Sequence, residues 1–277
     1  MKTRKIISTA CFLITVGIVL MIIGGMNGAS MGLNVIKTEQ NSIEVIPNKK
    51  IKTIEQKIDG SIKDIELENY DLQIKKGTEN KISISYYQQK PEFELANQTL
   101  KVKENEQGLG SIGNFSFSSK SEVLQLVLTV ADSTFFDDLT VNSKGSSYLE
   151  INDLTLSNLV INNKNGSIEI NNVTSEQMAL QSRNSSIEIT DSVLPLLNIE
   201  QRNGDIEITD TTLAAGKITQ RNGMIDFENN LIDGLDIQIK QGVIDIDDEE
   251  VVNNHYQKRS TNQALTINIE KGSFELN

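Results

Sequence analysis

The stretch NGSIEI at residues 165–170 returns as NSSIEI at 184–189, NGDIEI at 203–208 and NGMIDF at 222–227, each time 19 residues on. The same spacing reaches back to SYLEI at 147–151 and forward to GVIDI at 242–246. Coils therefore open at Ser147, Gly166, Ser185, Gly204, Gly223 and Gly242 without a gap. Such fixed-period self-similarity marks a solenoid and takes precedence over any local reading of structure.

Within each coil the third column is apolar (Leu149, Ile168, Ile187, Ile206, Ile225, Ile244), and so is the fifth (Ile151, Ile170, Ile189, Ile208, Phe227, Ile246). An acid separates them every time: Glu150, Glu169, Glu188, Glu207, Asp226 and Asp245. Alternation at period two is the pattern of a strand with one buried face. Further apolar columns at Ile161, Leu180, Ile199, Ile218 and Ile237, and at Leu156, Leu194, Leu213, Ile232 and Val251, mark other inward stretches; Ser175 interrupts the second. Asn165, Asn184, Asn203 and Asn222 stand where the chain must turn, and Asp153, Asn172, Asp191, Asp210, Asn229 and Asp248 suit a second corner, because Asx side chains bond nearby backbone. One coil cannot bury its apolar side, but stacked coils can. The prediction is an all-β, right-handed parallel β-solenoid (β-helix) of about 19-residue coils, the hand following from the general preference of parallel crossovers.

Working outward, LDIQIKQG at 235–242 returns as LTINIEKG at 265–272, 30 residues later, one repeat plus eleven. Residues 247–263 are then an insertion expected to loop out of the stack. The last strand, near Phe274, would form an open edge suited to end-to-end association. Before the repeats, IELENYDLQI, KISISYY, FELANQTLKV and VLQLVLTV alternate like strands, with a Gly/Ser-rich loop expected over residues 108–120. Residues 50–146 are read as N-terminal coils and cap, 147–277 as the regular solenoid, and 27–49, polar and aperiodic, as a stalk. A separate small β-domain is the alternative for the segment before the repeats.

The chain begins with a basic segment, residues 1–5, followed by an uncharged run over 6–26. That run is long enough to span a bilayer, which takes roughly 20 residues. It reads as a transmembrane signal anchor, with cleavage as the alternative; Asn27 sits where a signal peptidase prefers a small residue. Lys2, Arg4 and Lys5 place the N-terminus in the cytoplasm and the body of the protein, a single-pass membrane protein, outside.

The net charge is −12, and the body beyond those three basic residues is more negative still. This disfavours nucleic acid, which needs a basic face, and an anionic bilayer or wall polymer would be repelled unless cations intervene. The one cysteine, Cys11, lies in the hydrophobic run, so packing alone must hold the body. There is no Trp to stack on sugars.

Among candidate binding residues the acidic column stands out: Glu169, Glu188, Glu207, Asp226 and Asp245 could collect cations, or simply face water. Lys164, Arg183, Arg202, Arg221 and Lys240 form a basic column that offsets part of its field. The calcium nonapeptide pattern is missing, and the single His255 has no clustered acids beside it in sequence. No catalytic residue, metal site or cofactor is expected.

At NGSIEI, NSSIEI, NGDIEI and NGMIDF the chain resembles the bacterial "putative adhesin" family of unknown function, whose repeats carry a Gly-x-Ile-x-Ile signature. The resemblance runs from about Ile62 to the C-terminus. It implies an extracytoplasmic β-solenoid behind an N-terminal membrane segment, a family that includes Gram-positive cell-envelope stress-associated proteins. The expected function is a non-enzymatic envelope protein binding another envelope protein or a wall component. A glycan-binding or glycan-cleaving β-helix is the alternative.

Overall fold

A computed structural model of the chain describes residues 31–37, 43–47, 52–86, 90–103, 110–117, 124–247, 249–252, 254–258 and 264–277. Among these every regular element is a strand, and no helix is long and apolar enough to cross a membrane. The expected transmembrane run, 6–26, lies outside the described residues. Two units divide the chain.

In the smaller unit Met31–Lys37 pairs antiparallel with Ile43–Pro47 on one side and Gly110–Phe117 on the other. Two strands thus stand in the segment read as a stalk, and one in the expected Gly/Ser-rich loop. Antiparallel ladders are held by backbone hydrogen bonds, so weakly apolar sequence can form them when a partner strand comes from elsewhere in the chain.

The larger unit, 52–104 and 123–277, is all-β, with a solenoid-like stack of parallel strands at its centre. From Asp138 to Glu228 each coil pairs with the next in a register of 19 or 20 residues. One sheet carries the column Val141, Ile161, Leu180, Ile199, Ile218; the other carries Leu149, Ile168, Ile187, Ile206, Ile225. These side chains are wholly buried, so like stacks on like along the axis. A shorter third column contains Leu156, Ser175, Leu194, Leu213 and Ile232. The interruption at Ser175 is tolerated because its Oγ, though buried, donates to the Gln177 carbonyl at 2.8 Å.

Both corners follow from backbone chemistry. Asp153, Asn172, Asp191, Asp210 and Asn229 all have φ between 50° and 59°, the left-handed region that short Asx side chains tolerate. At the end of the array Asp247 takes this conformation, one residue earlier than the 19-residue count, and Asp248 lies outside the described residues. Next to this corner a buried ladder links coils: the Val173 amide donates to Ser192 Oγ, the Ser192 amide to Thr211 Oγ1, and the Thr211 amide to Asn230 Oδ1. At the other corner Gly204 has φ 117°, and a Cβ there would stand 2.0 Å from the Ser185 carbonyl oxygen of the preceding coil. Only glycine permits that approach.

The ends of the stack depart from chain order. Leu265–Leu276 pairs parallel with Thr212–Glu228 on one side and with Leu235–Ile246 on the other. The C-terminal strand is therefore threaded between two coils that the repeat count makes neighbours. Phe274 is fully buried, in register with Ile225 and Ile244, and its ring meets Phe227 edge-on at 5.3 Å. This corrects the expected open edge: the strand near Phe274 is internal, and the outer coil is Leu235–Ile246. The insertion is corrected too. Rather than looping out, Glu249–Glu250 and His255–Lys258 run back antiparallel along that outer coil and cover both ends of its edge.

The N-terminal end is built similarly. The coil formed by Asp64–Glu68 and Asp71–Lys76 lies between Asp138–Asn152 and a pair of strands that follow it in sequence, Thr99–Lys103 and Gln125–Val130. Antiparallel strands Glu92–Ala96, Lys81–Tyr86 and Lys52–Lys57 then finish the two sheets.

Candidate functional site

The predicted acidic column is a single file on the outer face of one sheet. Register places Glu150, Glu169, Glu188, Glu207 and Asp226 in order, and the threaded strand inserts Glu275 between Asp226 and Asp245. The structure thus brings all five candidates into one line and adds a carboxylate that the repeat count left out. The signal for it is GSFELN at 272–277, which matches GSIEIN at 166–171.

This file is a line of mutually repelling groups. Partial burial first, then Glu169 and Glu207, raises the Glu188 carboxyl above its ordinary value; burial, then Glu275, Glu207 and Glu228, does the same to Asp226. At the head of the file Gln73 donates to Glu150 at 2.8 Å and the Tyr148 hydroxyl donates to Glu169; burial first, then that hydrogen bond and the Glu169 charge, pushes the phenol upward. Among the described residues no group of three His, Cys, Asp or Glu side chains is arranged to hold a metal ion. His255 Nε2 stands 3.0 Å from Asp236 Oδ1 on the exposed covering strand.

The asparagines expected as turn formers do something further. Asn184 donates to Asn165, Asn203 to Asn184 and Asn222 to Asn203 at 2.7–2.8 Å, a ladder of side-chain amides along the stack. The positive φ at this corner falls on the glycines that follow. Each rung ties one coil to the next.

On the other sheet a groove of about 1040 Å³ runs across the strands. It follows from a break in the inward pattern. Two residues after the Val141/Ile161 column, period two predicts an apolar side chain pointing in. The chain instead has Ser143, Asn163, Ser182, Gln201 and Gln220, all buried. Gln220 Nε2 donates to the Gly204 carbonyl at 2.7 Å and to Gln201 Oε1 at 3.2 Å. Asn163 Oδ1, Ser182 Oγ and Gln220 Oε1 have no partner among the described residues. That polar floor was the missed signal, legible as polar residues at inward positions.

One wall of the groove is the basic column, Lys164, Arg183, Arg202 and Arg221, continued by Lys144 at a bulge in its strand. The threaded strand ends the run: Glu270 lies in register between Arg221 and Lys240 and stands 3.5 Å from Arg221 Nε. Lys144, Lys164, Arg183 and Arg202 are exposed and, among the described residues, have no carboxylate within 4.0 Å. The facing wall is mainly neutral and polar, Asn162, Gln181 and Thr219, with Glu200 its acid. Among the described residues no aromatic side chain lines the groove.

These features define an all-β protein whose parallel strands stack like a solenoid, with charged side chains in its outer columns. The chain belongs to the Toastrack DUF4097 family, whose pattern matches residues 62–273. It is similar to a crystal structure described as a putative adhesin from Bacteroides fragilis, with 13% identity over 82% of this chain and 98% of that one and a TM-score of 0.49. A putative cell adhesion protein from Clostridium sporogenes is 12% identical over 82% and 99%, with a TM-score of 0.31. A putative lipid binding protein from Parabacteroides distasonis is 16% identical over 82% and 94%, with a TM-score of 0.42. Among curated proteins none matches the chain.

Proposed function

We propose that this protein is a non-enzymatic envelope-binding protein, held on the outer face of the cell membrane by residues 6–26, which captures another envelope component in the groove on its solenoid. The observation that carries this reading is the row of cations along one wall of that groove, four of which have no carboxylate within 4.0 Å among the described residues. Four exposed cations side by side, on a chain of net charge −12, repel one another and gain by meeting an outside anion. The basic residues before the hydrophobic run and the extracytoplasmic side of the body follow the positive-inside pattern. A right-handed coil is the hand this reading adopts. Family membership supports a binding rather than a chemical role only at the level of fold.

The glycan-cleaving alternative gains less from the geometry. The acids of the outer file repeat regularly, and of the two acids that line the groove Glu270 is held against Arg221, whereas glycosidases set a distinct, free pair across a substrate. The groove also lacks the aromatic platform on which sugar rings stack.

A photo-reactive amino acid at Gln181 or Thr219, compared with one at Glu207, tests this in living cells. Groove positions should yield adducts with an envelope component, and the acidic sheet should not. Equal adducts from both faces, or none from the groove, would overturn the reading.

A further inference from the structure

We propose that the groove binds a linear phosphodiester polymer without bases, a chain of polyol phosphates, which lays its phosphates along the basic wall. This rests on the groove being the binding face, and adds what chemistry it takes.

The basic wall sets the charge. Lys144, Lys164, Arg183 and Arg202 are exposed, have no carboxylate within 4.0 Å among the described residues and come from successive coils. Parallel strands lie about 4.8 Å apart, so the row is roughly 14 Å long and straight. A row suits a polymer better than a single anion, because one small anion meets only one or two of its members. Arginine matches phosphate with two parallel N–H donors, and lysine adds a point charge. The whole-chain charge does not forbid this. Exposed charges farther than a Debye length, about 8 Å in physiological salt, are largely screened, and the acidic file stands on the other sheet, beyond the asparagine corner.

The remaining walls choose among polyanions. Nucleic acid bases are held by stacking on aromatic rings, and among the described residues none lines the groove. The wall facing the cations carries the amides of Asn162 and Gln181 and the Thr219 hydroxyl, which both donate and accept, with the single carboxylate Glu200 among them. Hydroxyls of a polyol linker fit that wall. Beneath the walls, Asn163 Oδ1, Ser182 Oγ and Gln220 Oε1 are buried polar atoms with no partner among the described residues, so polar rather than apolar side chains underlie the groove. The site has a defined end, because Glu270 neutralises Arg221.

The test measures anisotropy of a labelled poly(glycerol phosphate) oligomer with the full chain in neutral detergent. Binding should weaken as salt rises, with a log–log slope near −3, from roughly −0.7 per phosphate neutralised by four cations. Arg183→Gln with Arg202→Gln should halve that slope and lower affinity at least about tenfold, a 1.4 kcal/mol change. Glu188→Gln with Glu207→Gln, on the acidic sheet, should leave affinity within a factor of about two, and circular dichroism checks that each variant is folded. The proposal is overturned by no binding at about 50 mM salt, by an arginine double variant that binds as before, or by tighter binding of oligothymidylate or polyglutamate. Groove adducts in cells together with failure here would leave the function standing and remove only the polymer.

Discussion

Replacing Phe274 by alanine probes the threaded C-terminal strand. Phe274 is fully buried, in register with Ile225 on one side and Ile244 on the other. Its ring meets Phe227 at 5.3 Å and 65°. The substitution removes a large apolar side chain from the inside of a stack whose walls are backbone ladders and cannot close inward. The cost of Phe→Ala at such a site is about 3–5 kcal/mol, transfer and cavity together. Part of it, about 0.5–1.5 kcal/mol, is coupling to Phe227, measurable in a double-mutant cycle with Phe227→Ala. Urea denaturation of the full chain followed by circular dichroism reads the loss, against Val243→Ala, which at 41% exposure should move stability by no more than about 0.5 kcal/mol. A strand lying at an open end, as the repeat count alone suggests, would leave one side of Phe274 in water. A measured loss below about 1 kcal/mol would refute the internal placement.

Asn203 both donates to Asn184 and accepts from Asn222, so Asn203→Ala removes two rungs and should cost about 1–3 kcal/mol in the same denaturation assay; no change would mean the ladder is ornamental. Gly204→Ala places a methyl against the Ser185 carbonyl at positive φ and should destabilise by more than about 1 kcal/mol, whereas Gly60→Ala, with nothing near its Cβ, should be neutral. Burial above all raises Asp71, Glu188 and Asp226, so the folded state holds these protons more tightly than the unfolded state. Their contribution to stability is present at acidic pH and is lost as pH rises through the raised values; the lowered Asp132, bonded by Thr134, acts oppositely at lower pH. Thermal melting should therefore occur at a higher temperature in the ordinary carboxylate range, at pH about 4.5, than at neutral pH, and Glu188→Gln should shrink the difference. A lower melting temperature at the acidic pH would contradict this.

The columns that make the fold were open to reading because a solenoid repeats its environment: Ile168, Ile187 and Ile206 occupy one place three times, and the acid between them must face out. What the period could not show is which coil a strand stacks upon. GSFELN fits beside GMIDF or GVIDI equally well, since every coil offers the same apolar columns, so register was legible and neighbour was not. The same ambiguity hides the N-terminal order, where residues 64–76 lie inside strands that come later. The site was half legible. The basic column was visible as a charge pattern, but it gains meaning from the polar floor at Asn163, Ser182, Gln201 and Gln220, where alternation calls for apolar side chains. Glu270, which ends the row, could not be placed until the threading was known.

That threading fixes the two outer columns, and disulfide trapping tests it most directly. In a chain carrying Cys11→Ser, the pair Asp226→Cys and Glu275→Cys occupies facing positions on adjacent strands. Their Cα atoms stand about 4.8 Å apart, inside the range of about 4.4–6.8 Å that a disulfide needs. Asp226→Cys with Asp245→Cys, one repeat apart in sequence, lies two strands away, about 10 Å and beyond reach. Mild oxidation and peptide mapping should recover the 226–275 bond in high yield and none between 226 and 245. A 226–245 bond, with none to 275, would contradict the account.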